Sequence, residues 1–145
     1  RSFAVNALGN EPMEMNEDGR QLRDFVHVKD IASSILKTLQ DRRADFGAFN
    51  VGSGQATKIF DLAKIVAKQG KVAFKPLLQN RYRTGGARHS VMNISKLKSL
   101  GWRPKHTLAE AVADYVNWLS NFKGFHKNLE KTEAEMRKTG ILKKY

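Results

Sequence analysis

Gly19-Arg20-Gln21-Leu22-Arg23-Asp24-Phe25-Val26-His27-Val28-Lys29-Asp30 changes rhythm within a dozen positions. From Asp24 to Val28 β-branched and aromatic residues alternate, which predicts a strand. Asp30 then supplies a helix N-cap, and Val28, Ile31, Ala32, Ile35, Leu36 and Leu39 recur at helical spacing to about Asp41. A strand that feeds directly into an amphipathic helix is the unit of an α/β fold.

The neighbouring segments repeat that alternation. Upstream, Phe3 to Leu8 reads as the end of a helix stopped by Gly9, Met13 to Met15 as a short strand, and Asn16-Glu17-Asp18-Gly19 as a turn. Downstream, Gly47-Ala48-Phe49-Asn50-Val51 reads as a short strand running into Gly52-Ser53-Gly54. Thr57 caps a helix whose apolar face is Ile59, Leu62, Ala63 and Val66, and Lys71 to Lys75 reads as a strand. Ser95 begins a short helix ended by Gly101 and Pro104. Thr107 caps the clearest helix, with Leu108, Val112, Tyr115, Val116, Leu119 and Phe122 in one stripe. From Lys123 the chain is basic and weakly amphipathic, the pattern of a peripheral helix or frayed tail.

Charge is placed unevenly. The formal net charge is +12, yet between Leu62 and Ala109 there are 11 Lys or Arg and no Asp or Glu. An acid-free run of that length attracts anions such as phosphate, diphosphate or nucleic acid, although a solvated basic face gives the same composition. Arg81, Arg83 and Arg88 cluster around Gly85-Gly86, while lysines dominate the flanks. Arginine offers a planar fork of donors for phosphate, and glycine lets backbone approach a ligand. The absence of cysteine excludes a disulfide scaffold, thiolate metal sites and a cysteine nucleophile, and fits a cytoplasmic protein. The longest apolar runs fall short of a membrane span, so no membrane partner is expected. The chain opens on Arg1 and reads as a cut from a longer polypeptide.

Three segments in order carry a resemblance. They are Gly19 to Asp30, then Phe49-Asn50-Val51-Gly52-Ser53-Gly54 with its following helix, then Arg81-Tyr82-Arg83-Thr84-Gly85-Gly86-Ala87-Arg88-His89-Ser90 with Ile94-Ser95-Lys96 and Leu100-Gly101-Trp102-Arg103-Pro104. Together they resemble the C-terminal, substrate-binding part of extended short-chain dehydrogenase/reductases that act on nucleotide sugars. The arrangement is most similar to UDP- or dTDP-hexose 4-epimerases, with 4,6-dehydratases close behind. The resemblance implies an α/β substrate-binding portion over residues 1–120, followed by a basic helical tail over 121–145, without the N-terminal Rossmann domain. NAD would be bound by that missing domain and not by this chain.

The same resemblance assigns roles. Arg23 and Arg83 would grip the diphosphate of a nucleotide-diphosphate sugar, and Gly85, Gly86 and Arg88 would complete the loop around it. At Gly86 the family usually carries an Asp that accepts from ribose hydroxyls; here that acceptor is replaced. Asn93 stands for the usual Asp ahead of Ser95-Lys96 and still caps. No Gly-x-x-Gly-x-x-Gly run follows a strand, and none of Tyr82, Tyr115 and Tyr145 has a Lys four residues on, so the family's catalytic Tyr-x-x-x-Lys is absent. No catalytic residue is therefore assigned, and the chain alone is expected to be inactive. If isolated, it would expose some of Val28, Ile31, Ile35, Phe49 and Val51, to be covered by the missing half or by self-association.

Plainer readings stand beside these. Arg88 equally suits pairing with backbone or a nearby acid. His27 reads as structural, His106 and His126 as surface residues, and the four histidines are too scattered in sequence for a zinc site. Trp102 and Trp118 read as core. Nucleic-acid binding, or a non-catalytic role on the same scaffold, is the alternative that the charge permits. Against nucleic acid, Phe74 and Tyr82 are the only aromatics in the basic run before Trp102, too few to stack a series of bases.

Overall fold

The computed structural model describes residues 2–122 and 134–144. The chain divides into two units, Arg1–Gln21 with Lys58–Arg88 and Val112–Tyr145, and Leu22–Thr57 with His89–Ala111.

In the first unit, helix α1 (Ser2–Leu8) buries Ala4, Val5 and Ala7 and leads into strand β1 (Met13–Asn16). The small faces let α1 pack closely on α3 (Ile59–Gln69), which buries Ala63, Val66 and Ala67. Met13 and Met15 point from alternate positions of β1 into this core, each 1% exposed, and burying such a side chain contributes about 1.5–3 kcal/mol. Strand β4 (Pro76–Gln79) runs parallel to β1, with Met13 opposite Pro76 and Asn16 opposite Gln79. The strand expected at Lys71–Lys75 thus starts later. Proline is tolerated there because it is the first residue of its strand. Strand β5 (Arg81–Arg83) pairs antiparallel with β7 (Leu142–Lys144), Arg83 opposite Leu142. From Val112 on, helix α5 (Leu108–Ser120) buries Val112, Val116 and Leu119. Trp118, read as core, is 48% exposed; its ring stacks on Tyr115 at 5.7 Å and meets Phe122 at 4.5 Å.

In the second unit, strand β2 (Leu22–Arg23) pairs parallel with β6 (His89–Ser90) and is followed by helix α2 (Val28–Gln40). The strand is shorter than the alternation of Asp24 to Val28 suggests, because His27 caps the helix: its Nδ1 accepts from the Lys29 N–H at 3.0 Å. Asp30, expected as that cap, lies inside the first turn and is 1% exposed. Trp102 joins Ala44, Ile94, Leu97 and Leu100 in a buried cluster, on which Phe49 and Val51 pack from an irregular segment rather than the expected strand. The Trp102 indole N–H donates to the Ser33 hydroxyl at 2.9 Å. Helix α4 (Ser95–Ser99) starts where the Asn93 side chain accepts from the Ser95 N–H at 3.0 Å, and Gly101 follows with φ +88°. Thr107 and Glu110 form a reciprocal capping box at the start of α5. One residue pair, Thr57–Lys58, forms β3 ahead of α3; Lys58, without a side-chain bond, occupies the cap position expected for Thr57.

The apolar face of α2 is largely uncovered. Val28 is 72%, Ile35 54% and Leu39 78% exposed, and Ile31 and Leu36 are exposed as well. The basic segment Lys123, Lys127 and Lys131, with His126, lies outside the described residues.

Candidate functional site

The first unit presents Arg83 at the end of β5, where the chain turns through Thr84-Gly85-Gly86-Ala87. The Gly86 N–H donates to the Arg83 carbonyl at 3.4 Å, and Gly85 takes φ +75°. A left-handed residue is cheap only for glycine. A Cβ at Gly85 would meet nothing within 4 Å, so the loop faces open space. Arg83 is exposed, and among the described residues it has no carboxylate partner. Arg81, two residues earlier at the start of the strand, is 6% exposed and committed: its Nε donates to Asn16 Oδ1 at 3.0 Å and its Nη2 to Glu14 Oε2 at 2.8 Å.

Arg88 is held differently. Its guanidinium donates to Glu17 Oε2 and, at 2.7 Å, to Asp18 Oδ2. The hydrogen bond to Asp18, with both carboxylate charges, raises its pKa above the ordinary arginine value despite desolvation. Asp18 is lowered in turn, first by the Arg20 N–H donated to its other oxygen at 3.0 Å and then by Arg88. Of the two sequence readings for Arg88, the structure displays the pairing with nearby acid. In the sequence the acidic pair reads only as part of the Asn16–Gly19 turn.

Arg23 lies in the second unit, half-buried, with Nη1 donating to the Leu22 carbonyl at 2.9 Å. Beside it, Asp24 is a hub. Its Oδ1 accepts from the Ser53 N–H at 2.7 Å and the Ser53 hydroxyl at 2.5 Å; its Oδ2 accepts from the Gly54 N–H at 2.9 Å and the Met92 N–H at 3.3 Å. A Cβ at Gly52 would stand 2.6 Å from Asp24 Oδ2 and 2.8 Å from Met92 Cβ, so only glycine lets the turn close on the carboxylate.

These contacts bear on the dinucleotide that the sequence resemblance implies. A glycine-rich phosphate cradle needs backbone N–H groups aimed at the ligand. In Gly52-Ser53-Gly54 the N–H groups of Ser53 and Gly54 are spent on Asp24, and the residues of this turn do not fit NAD. Among the described residues no group of three or more His, Cys, Asp or Glu is placed to hold a metal ion. No helix among them is long and apolar enough to cross a membrane.

Residues 2–52 match the model of the NAD dependent epimerase/dehydratase family. A dTDP-L-rhamnose 4-epimerase of Burkholderia thailandensis is 36% identical over 119 residues, 81% of this chain and 32% of the relative. The chain belongs to the NAD dependent epimerase/dehydratase family. In the same family, the structure of a UDP-glucose 4-epimerase from Thermotoga maritima with UDP-glucose superposes with a TM-score of 0.74 at 28% identity, covering 81% of this chain and 38% of that one. A Thermus thermophilus UDP-glucose 4-epimerase in complex with NAD gives a TM-score of 0.70 at 27% identity, over 82% of this chain and 39% of that one. The α/β architecture is thus that of the family's epimerases. The chain spans about a third of the length of the curated relatives it matches.

Proposed function

We propose that this chain binds the nucleotide-diphosphate moiety of a nucleotide sugar for an NAD-dependent 4-epimerase. Residues 1–120 form the substrate-binding portion and 121–145 an appended basic segment. The carrying observation is Arg83: an exposed guanidinium beside a glycine turn open to solvent, without a carboxylate partner among the described residues. Such a group gains most from a phosphate, because a charged two-pronged contact is stronger than a neutral hydrogen bond. Gly85 and Gly86 give the backbone room and Arg88 closes the loop, while for Arg23, in the other unit, the diphosphate role is the one the family resemblance implies. Family membership supports the substrate class, since the Thermotoga relative was solved with UDP-glucose.

Oxidation and reduction at the sugar carbon belong to NAD, bound by the remainder of a longer polypeptide. The present residues contribute binding energy remote from the reacting centre, which can be spent on the transition state. We assign the exposed face of α2 to an interface with that remainder. The chain has about a third of its relatives' length, and Val28, Ile35 and Leu39 form an apolar stripe that a polypeptide of full length would cover. A cytoplasmic location fits the cysteine-free composition.

Calorimetric titration with UDP, dTDP and GDP sugars tests the assignment. Arg83→Ala is expected to weaken binding by about ten-fold or more, and Arg23→Ala likewise. Unchanged affinity in Arg83→Ala would remove the reading. The nucleic-acid alternative predicts a steep fall of affinity with salt and no preference among nucleotides.

A further inference from the structure

We propose that the acidic turn Glu17-Asp18 is a positioning element for the Arg83 loop, acting through Arg88, and that Arg88 serves this turn rather than the bound anion. The inference rests on Arg83 as the diphosphate contact.

Both stems of the loop are tied to the same turn. On the entering side, the Glu17 N–H donates to the Arg81 carbonyl at 2.9 Å. On the leaving side, Arg88 clasps the carboxylates of Glu17 and Asp18. Glu17 itself takes φ +54°, a left-handed conformation costly for a non-glycine residue, and the turn closes through Gly19 at φ +70°. Asp18 is braced by the Arg20 N–H, so the clasp has a fixed base. The opposite edge of β5 is held by β7, with the Thr84 N–H donating to the Ile141 carbonyl at 3.0 Å. Only Gly85 to Ala87, two of them glycines, lie between these ties, and all three are exposed. Such a segment loses much entropy when a ligand orders it, and fixing its stems beforehand lowers that loss.

The charges make the proposal testable by sign. Two carboxylates beside an anion site repel the anion, so if they did nothing else their neutralisation would tighten binding. As positioning groups, their neutralisation loosens the loop and weakens binding. In the full chain, UDP is titrated at constant ionic strength into wild type, Glu17→Gln/Asp18→Asn, Arg88→Ala, the triple variant and Asp18→Glu, with Arg83→Ala as reference. The double variant and Arg88→Ala are each expected to weaken UDP by about five-fold. The triple variant should be no worse than either, and Asp18→Glu should recover most of the affinity. Unchanged or tighter binding in the double variant, while Arg83→Ala still weakens it, overturns the inference alone. No effect of Arg83→Ala overturns the diphosphate reading beneath it. Should the double variant fail to fold, Asp18→Asn alone, isosteric and at an exposed position, carries the same sign test.

Discussion

His106 holds its ring Nδ1 2.8 Å from Oδ1 of Asp30, a carboxyl that sits 1% exposed inside the first turn of α2. The N–H groups of Lys105 and His106 donate to the same carboxylate at 3.1 and 3.0 Å. One buried acid therefore ties the 102–107 loop to a helix more than seventy residues earlier in the chain. Burial pushes the Asp30 carboxyl up, but the His106 ring and the two backbone donors together outweigh it, and its pKa lies below 3.8. A depressed folded-state value stabilises at pH above the unfolded value and is lost as pH falls through the folded one. Chemical denaturation across the acid limb should show stability declining below about pH 4, with a shallower decline in Asp30→Asn. Asp30→Ala takes the acceptor from the Lys105 and His106 N–H groups and should cost about 1–3 kcal/mol by urea unfolding at neutral pH.

Gly52→Ala places a Cβ where Asp24 Oδ2 and Met92 Cβ already stand. Neither the carboxylate, with its four donors, nor the chain at Met92 can retreat without breaking a hydrogen bond. The expected loss is about 1–3 kcal/mol, read as a lower denaturation midpoint at unchanged slope. Asp24→Ala should cost at least as much, and the two changes should be far from additive because they disturb one contact set.

Gly86 has room. The nearest atom to a built Cβ is the Arg83 carbonyl oxygen at 3.5 Å, an ordinary contact, and its φ is not in the left-handed region. Gly86→Asp should leave the melting temperature nearly unchanged and tighten nucleotide over inorganic pyrophosphate, by giving ribose hydroxyls an acceptor. Gly85→Ala should destabilise by about 1 kcal/mol through its positive φ alone.

Ile35→Glu with Leu39→Glu should not lower the thermal midpoint of this chain, because both residues are more than half exposed. The same pair should abolish self-association in sedimentation velocity if the α2 face is the adhesive one. In a full-length enzyme it should lower stability instead.

Local signals located the helices well. The Thr107–Glu110 box, Gly101 behind α4 and the stripe of α5 all depend on neighbours within four residues, which periodicity and caps report. What the sequence hid was long-range. Asp30 has the composition of a cap, and its partners at Lys105 and His106 cannot be seen locally; His27, three residues before the helix's first acid, takes the cap instead. Phe49 and Val51 alternate as a strand would, but the Trp102 cluster uses them as irregular packing. In the loop, arginine and glycine together pointed to Arg83. The carboxylates that clasp Arg88 stand seventy residues away, and only the fold joins them.

The hub at Asp24 has a practical corollary for anyone mapping this protein by random mutation. A screen that scores nucleotide binding would rank Asp24 with the ligand contacts, since losing it should dismantle the Ser53-Gly54 turn and the approach to Met92 together. Its oxygens are occupied by the protein's own backbone and one hydroxyl. Defects at that position would then report architecture, and separating them from binding defects requires a folding assay run in parallel.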